Sequence, residues 1–216
     1  MSIFNMDKYS NNRFFESKFV NTHNAPDCGV IKCMLGRLLM WLTGWRVTGE
    51  LPKDKKFVLI GEPHTSNWDF LLMFGAAYSL RLKVSWLGKD TLFKKPFGSI
   101  MGYFGGIPID RKSNHDLVSR TAELFEKSET LVLVIGPSGT RSRGKHWRSG
   151  FYWIAHTANV PILCGGLDFT KKEVHVGLCF IPTGDVKKDM DKIRKFYDGI
   201  RGKHPELETD IVLQNE

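Results

Sequence analysis

Four short runs of nearly unbroken apolar residues constrain this chain most: KFVLIG (56–61), LVLVIG (131–136), PILCGGLDF (161–169) and VHVGLCFI (174–181). A strand with one wet face alternates apolar and polar residues. These runs do not, so both of their faces must be covered. The segments between them have helical period. In 68–82 the apolar positions are Phe70, Leu71, Phe74, Ala77, Tyr78 and Leu82; in 115–127, Leu117, Val118, Thr121, Leu124 and Phe125 share one face; 147–159 is a third such segment. Doubly buried strands alternating with helices predict an α/β fold, with a central mixed, largely parallel sheet flanked by helices. VSWLG (84–88) and GIPI (106–109) add short strands. A short helix with glycine breaks is expected at 95–104, a turn at TKKE between the last two strands, and a closing, mostly solvated helix at 186–201. No internal repeat or long linker interrupts the 216 residues, which suits one domain at about 100–200 residues each.

An apolar N-terminal helix is expected to precede that domain. Residues 1–28 read as a polar and aromatic arm, with a short helix around 9–19. Residues 29–45 carry GVIKCMLGRLLMWLTG, apolar except for Lys32 and Arg37; the main domain follows at 46–216. At about 1.5 Å per residue the segment is too short to span about 30 Å of hydrocarbon. It is either a helix packed on its own domain or one lying in a membrane interface, with Trp41 and Trp45 at headgroup depth. The first residues, MSIFNMDKYSNNRFF, hold charges where a signal peptide needs an apolar core, so a cytoplasmic location is expected.

Composition narrows the partners. Hydrophobic residues at 42% and charged residues at 25% exclude intrinsic disorder for most of the chain. Basic residues outnumber acidic ones, 31 to 23, and the net charge of +8 favours anionic partners. Nucleic acid is not expected among them. The basic residues Arg141, Arg143, Lys145 and Arg148 are confined to one loop, and no RNA-binding signature is present. Cys28, Cys33, Cys164 and Cys179 form no CxxC pair, and the last two lie in strand-like runs as small core residues. That pattern predicts neither a disulfide framework nor a zinc site, and fits a reducing compartment. His146, His156 and His175 lack metal-ligand spacing, so no metal is expected. Trp147, Phe151, Tyr152 and Trp153 are expected to pack a helix on the sheet; part of that face could instead border a channel.

Three features follow predicted strands, where open α/β sheets place their sites. In GEPHTSNWD, His64 is a side chain suited to take a proton near neutral pH, and Asp69 could hold its other ring nitrogen. At about 100° per residue the two would stand about 140° apart on one helix. They can pair only if His64 lies in the turn and Asp69 at the helix start. Otherwise Asp69 is a first-turn acid facing the helix dipole. In GGIPIDR (105–111), Arg111 falls just past a strand, where its fork could hold a phosphate. In IGPSGTRSRGKHW (135–147), Gly139, Thr140 and Ser142 offer backbone and hydroxyl donors beside Arg141, Arg143 and Lys145. The composition suits an anion or a solvated basic loop, and the spacing is not that of a P-loop.

Together these blocks, with VPI at Val160–Ile162, resemble the glycerol-3-phosphate and lysophosphatidate acyltransferase superfamily in order and approximate spacing, over roughly residues 55–170. The resemblance implies transfer of a fatty acyl group from acyl-CoA or acyl-ACP to the hydroxyl of a lysophospholipid or glycerol-phosphate-like acceptor, with no bound cofactor. His64 would be the general base and Asp69 its orienting partner, with backbone amides near the His64 turn available to an oxyanion. Arg111 would bind the acceptor phosphate. Ser138, Gly139, Thr140 and Arg141 would help hold the acceptor, and Lys89 would contact phosphate or donor. A peripheral position on an anionic cytoplasmic membrane surface follows from segment 29–45 and the basic excess. Two residues depart from the family pattern. Pro63 stands where many members have asparagine, and Ser138 where members usually have glutamate. Serine cannot reproduce a charge-assisted hydrogen bond, which leaves a second reading open: a non-catalytic lipid-binding protein on the same fold.

Overall fold

Phe57 and Leu59 face one side of the second strand, and Val58 and Ile60 face the other; Phe57, Val58 and Ile60 are fully buried. This two-sided burial organises the chain. A computed structural model describes residues 23–96, 98–109 and 114–214. Most of the N-terminal arm, including the helix expected at 9–19, lies outside the described residues, as does Arg111.

The elements follow in the order α1 (Val30–Thr43), β1 (Arg46–Gly49), β2 (Lys56–Glu62), α2 (Trp68–Ser79), β3 (Ser85–Lys89), α3 (Gly98–Tyr103), β4 (Gly106–Ile109), α4 (Asn114–Lys127), β5 (Leu131–Ile135), α5 (Gly150–Thr157), β6 (Ile162–Asp168), β7 (Glu173–Phe180) and α6 (Val186–Tyr197). They build a seven-stranded sheet in the order β1-β7-β6-β2-β5-β3-β4. Strands β6, β2, β5, β3 and β4 are mutually parallel, and β7 runs antiparallel to β6. The mixed, largely parallel sheet expected from the strand runs is therefore present. Strand β1, paired parallel with β7, was not anticipated: RVTG is too short and polar to announce itself.

One face of the sheet carries α4, α5 and α6. There Phe125, Trp147, Phe151, Tyr152, Ile154, Met190 and Ile193 pack on Val58, Ile60, Leu133 and Ile162. Full burial of a large apolar side chain is worth about 1.5–3 kcal/mol, so this cluster is a main source of stability. The other face carries α2, with Phe74 and Ala77 against Phe57, Val132, Leu163 and Val176.

Helix α1 lies mainly on α2, and its Met40 joins a cluster with Leu72, Leu167 and Val174. Gly36 and Gly75 make the close crossing possible: a Cβ on Gly36 would meet the Ser79 nitrogen at 2.6 Å, and one on Gly75 would meet Leu39 Cδ2 at 2.9 Å. Gly44, at φ 72°, ends the helix. Only one stripe of α1 is buried, through Cys33, Gly36 and Met40. Ile31, Met34, Leu35, Leu38, Trp41 and Leu42 are exposed. The helix therefore packs on its own domain through one stripe, as the first alternative has it, and leaves its other face apolar and exposed. Trp45 departs from its expected headgroup position: it is buried, with its ring 4.8 Å from Phe169. Cys179 also departs from expectation; it is exposed on β7, while Cys164 is buried. Among the described residues no helix is long and apolar enough to cross a membrane.

Candidate active site

Strands β2, β5 and β6 end side by side, with Ile60 in register with Ile135 and Glu62 with Gly166. From that edge the chain passes through Pro63, His64, Thr65, Ser66 and Asn67 into α2. Asp69 is the second residue of that helix and is 3% exposed. Its Oδ2 accepts from the amides of Thr65 (2.8 Å) and Ser66 (2.7 Å), in the turn just before the helix N-cap at Asn67. The same oxygen lies 3.1 Å from His64 Nδ1. A carboxylate can only accept, so Nδ1 carries the proton and Nε2 is left as the basic nitrogen. The geometric condition for pairing is met: His64 sits in the turn and Asp69 at the helix start. Asp69 is therefore both the first-turn acid and the partner of the imidazole. Its Oδ1 is buried without a hydrogen-bond partner among the described residues.

Glu62, missed in the sequence, stands beside this pair. Its side chain is buried; Oε2 accepts from the His64 amide at 2.9 Å and Oε1 from the Ser138 amide at 2.7 Å. Burial pushes its carboxyl above the ordinary range, against the opposing pull of the Ser138 and His64 donors. The available signal was a glutamate at the inner end of an apolar strand, directly before Pro-His.

The 136–142 loop follows β5 and so lies next to the His64 turn. Gly139, at φ 66°, makes the bend; a Cβ there would meet Arg148 Nε at 2.8 Å. Ser138 is buried; its hydroxyl donates to the Thr140 carbonyl (3.1 Å), and its side chain also stabilises the Glu62 carboxylate. Thr140 and Arg141 are exposed. Lys89 is exposed at the end of β3, two strands from β2 or about 10 Å across the sheet. His64, Asp69 and the 138–141 loop are brought together; Lys89 stands further along the same edge. The amides expected to face an oxyanion are already engaged, since those of His64, Thr65 and Ser66 all donate to carboxylates.

The C-terminal segment closes around the same turn. The His204 amide donates to Thr65 Oγ1 (3.1 Å), Gly144 donates to Thr209 Oγ1 (2.9 Å), and Trp147 donates to the Val212 carbonyl (2.9 Å).

A cavity of about 290 Å³ opens beside His64 and Asp69 and runs between α2 and the sheet. Phe70, Met73, Ala77, Leu59, Trp86 and Val176 help line it. It lies on the α2 face. The aromatic residues of 147–153, weighed as a channel border, take no part in it: Trp147, Phe151 and Tyr152 are buried in the opposite core. Among the described residues no group of three or more His, Cys, Asp or Glu side chains could hold a metal.

The arrangement defines an α/β protein with a carboxylate-oriented histidine at the mouth of an apolar cavity. Residues 45–165, more than half of the chain, match the protein-family model described as Acyltransferase, and the chain belongs to that family. Its fold is similar to that of a solved structure, the 1-acyl-sn-glycerophosphate (LPA) acyltransferase PlsC from Thermotoga maritima. The TM-score is 0.53 at 17% identity, over 79% of this chain and 77% of the other. No curated protein matches the sequence.

Proposed function

We propose that this acyltransferase moves a fatty acyl group from an acyl-CoA or acyl-ACP thioester to the hydroxyl of a lysophospholipid or glycerol-phosphate-like acceptor. The observation that carries the reading is the His64–Asp69 pair at the mouth of the apolar cavity. His64 Nε2 takes the acceptor hydroxyl proton while Asp69 holds Nδ1 and offsets the imidazolium charge. The acceptor oxygen attacks the thioester carbonyl carbon; the C–O bond forms, the C–S bond breaks, and the proton on Nε2 passes to the departing thiolate. The acyl chain occupies the cavity, whose lining is aliphatic and aromatic. The acceptor's anionic group is held by the 138–141 loop with Arg141, and by Arg111 and Lys89.

The acceptor is met at the surface of an anionic membrane, on its cytoplasmic side. Support comes from the exposed apolar face of α1 and from the net charge of +8. The test offers labelled acyl-CoA and acyl-ACP to purified protein against a panel of lysophospholipids, glycerol phosphate and simple alcohols. Transfer to the phosphorylated glycerol acceptors is expected. Folded protein that binds liposomes and transfers from neither donor would contradict the reading.

A further inference from the structure

Glu62 has a cost that the fold alone does not explain. Its carboxylate is 5% exposed, and it forms no ion pair with a lysine or arginine among the described residues. A buried carboxylate without a cation is expensive, and an apolar side chain of similar volume would fill the site at lower cost. What the carboxylate does provide is two acceptor oxygens on one rigid plane. Each takes a backbone amide from a different loop: His64 from the turn after β2, and Ser138 from the loop after β5. These residues are 74 positions apart in the sequence; the strands before them pair in a register that ends at Ile60 and Ile135, and the C-terminal segment also bonds to Thr65 and to Gly144.

We propose that Glu62 is a positioning residue: its carboxylate clamps the His64 turn to the 138–141 loop and so fixes the distance between the base and the acceptor-holding loop. The clamp is separate from the support Asp69 gives. Asp69 sets the orientation of the imidazole and binds the Thr65 and Ser66 amides, whereas Glu62 binds the His64 amide and the far loop. Charge is less important than acceptor count. A glutamine keeps one acceptor oxygen but turns its NH2 toward the other backbone N–H, so one loop is released while the volume is preserved. An aspartate keeps both oxygens but is one methylene too short to reach both donors.

The experiment compares wild type, Glu62→Gln and Glu62→Asp by amide hydrogen exchange and by transfer kinetics on folded protein. The exchange arm is independent of the reaction. In both variants the amide of His64 or Ser138 loses protection by about tenfold or more, while those of Thr65 and Ser66 keep theirs. The kinetic arm rests on the acyl-transfer reading. There kcat falls by about tenfold to a hundredfold, as expected when a base and its substrate are misplaced, with KM for the thioester donor unchanged. Wild-type protection of both amides in Glu62→Gln would overturn the clamp even if the protein proved inactive. So would a loss of rate that tracks the unfolded fraction alone, with kcat per folded molecule unaltered. Absence of transfer by wild type, with the exchange pattern as expected, would overturn the reaction and leave the clamp standing.

Discussion

Asp69 Oδ2 lies 3.1 Å from His64 Nδ1 and at the same time caps the amides of Thr65 and Ser66. One oxygen thus shapes the turn and sets the tautomer of the ring that the turn carries. Asp69→Asn places an amide among three donors and removes the charge that would stabilise an imidazolium. Transfer is expected to fall by about a hundredfold to ten-thousandfold. Because the two side chains act as a unit, Asp69→Asn combined with His64→Ala should be no slower than His64→Ala alone. Initial rates of the two single variants and the double variant check this; multiplicative losses would contradict it.

If the cavity under α2 holds the acyl chain, as proposed, its volume limits the chain length that fits. Ala77 lines it and is nearly buried. Ala77→Leu adds volume inside the cavity and is expected to move the preferred donor to shorter chains. The cost in stability is about 1–3 kcal/mol from overpacking. A series of saturated acyl donors reads the shift. An unchanged chain-length profile would place the chain elsewhere.

The outer face of α1 is apolar and exposed among the described residues, with Ile31 76% exposed. If this face enters the membrane interface, Ile31→Asp with Leu35→Asp should weaken sedimentation with anionic vesicles by about tenfold or more. The melting temperature should hardly move, since neither side chain is in the core. Equal binding by the variant would assign membrane attachment to another surface.

Asp189 lies at the base of α6, fully buried, accepting from Tyr152, Thr183 and Lys192. Burial alone raises its carboxyl, but these donors outweigh it and hold the group below the ordinary carboxylate range. A depressed native value means that the native state binds the proton less readily than the unfolded chain. The stabilisation is present above about pH 4 and is lost as pH falls through the native value. Asp189→Asn should lower stability by about 1–3 kcal/mol near neutral pH and flatten the acid limb of a urea-midpoint profile. An unchanged acid limb would show that other groups govern it.

The strand runs made the sheet legible because doubly buried parallel strands have to be apolar along their whole length. Helix α2 and strands β2, β5 and β6 fall close to where periodicity places them. The His64–Asp69 pair was legible as a geometric condition, because its two members are local in sequence. Glu62 was not legible as a link: its partner Ser138 becomes a neighbour only once β2 and β5 are in register. The same reason hid β1, which is defined by pairing with β7, and the C-terminal segment over Thr65, which has no periodic pattern. The division of α1 into a buried and an exposed stripe depends on the glycines that meet α2, and apolar content alone does not distinguish the two.

The most direct test of the account is the initial rate of acyl transfer by His64→Ala beside wild type, on protein shown to be folded by its circular dichroism. His64 is partly exposed and its ring is absent from the core clusters, so the variant should fold. Wild type is expected to transfer the acyl group to a glycerol-phosphate-type hydroxyl, and His64→Ala to lose that rate by a factor of about a thousand or more. A folded His64→Ala variant transferring at the wild-type rate would contradict the central claim that this imidazole, held by Asp69, is the base.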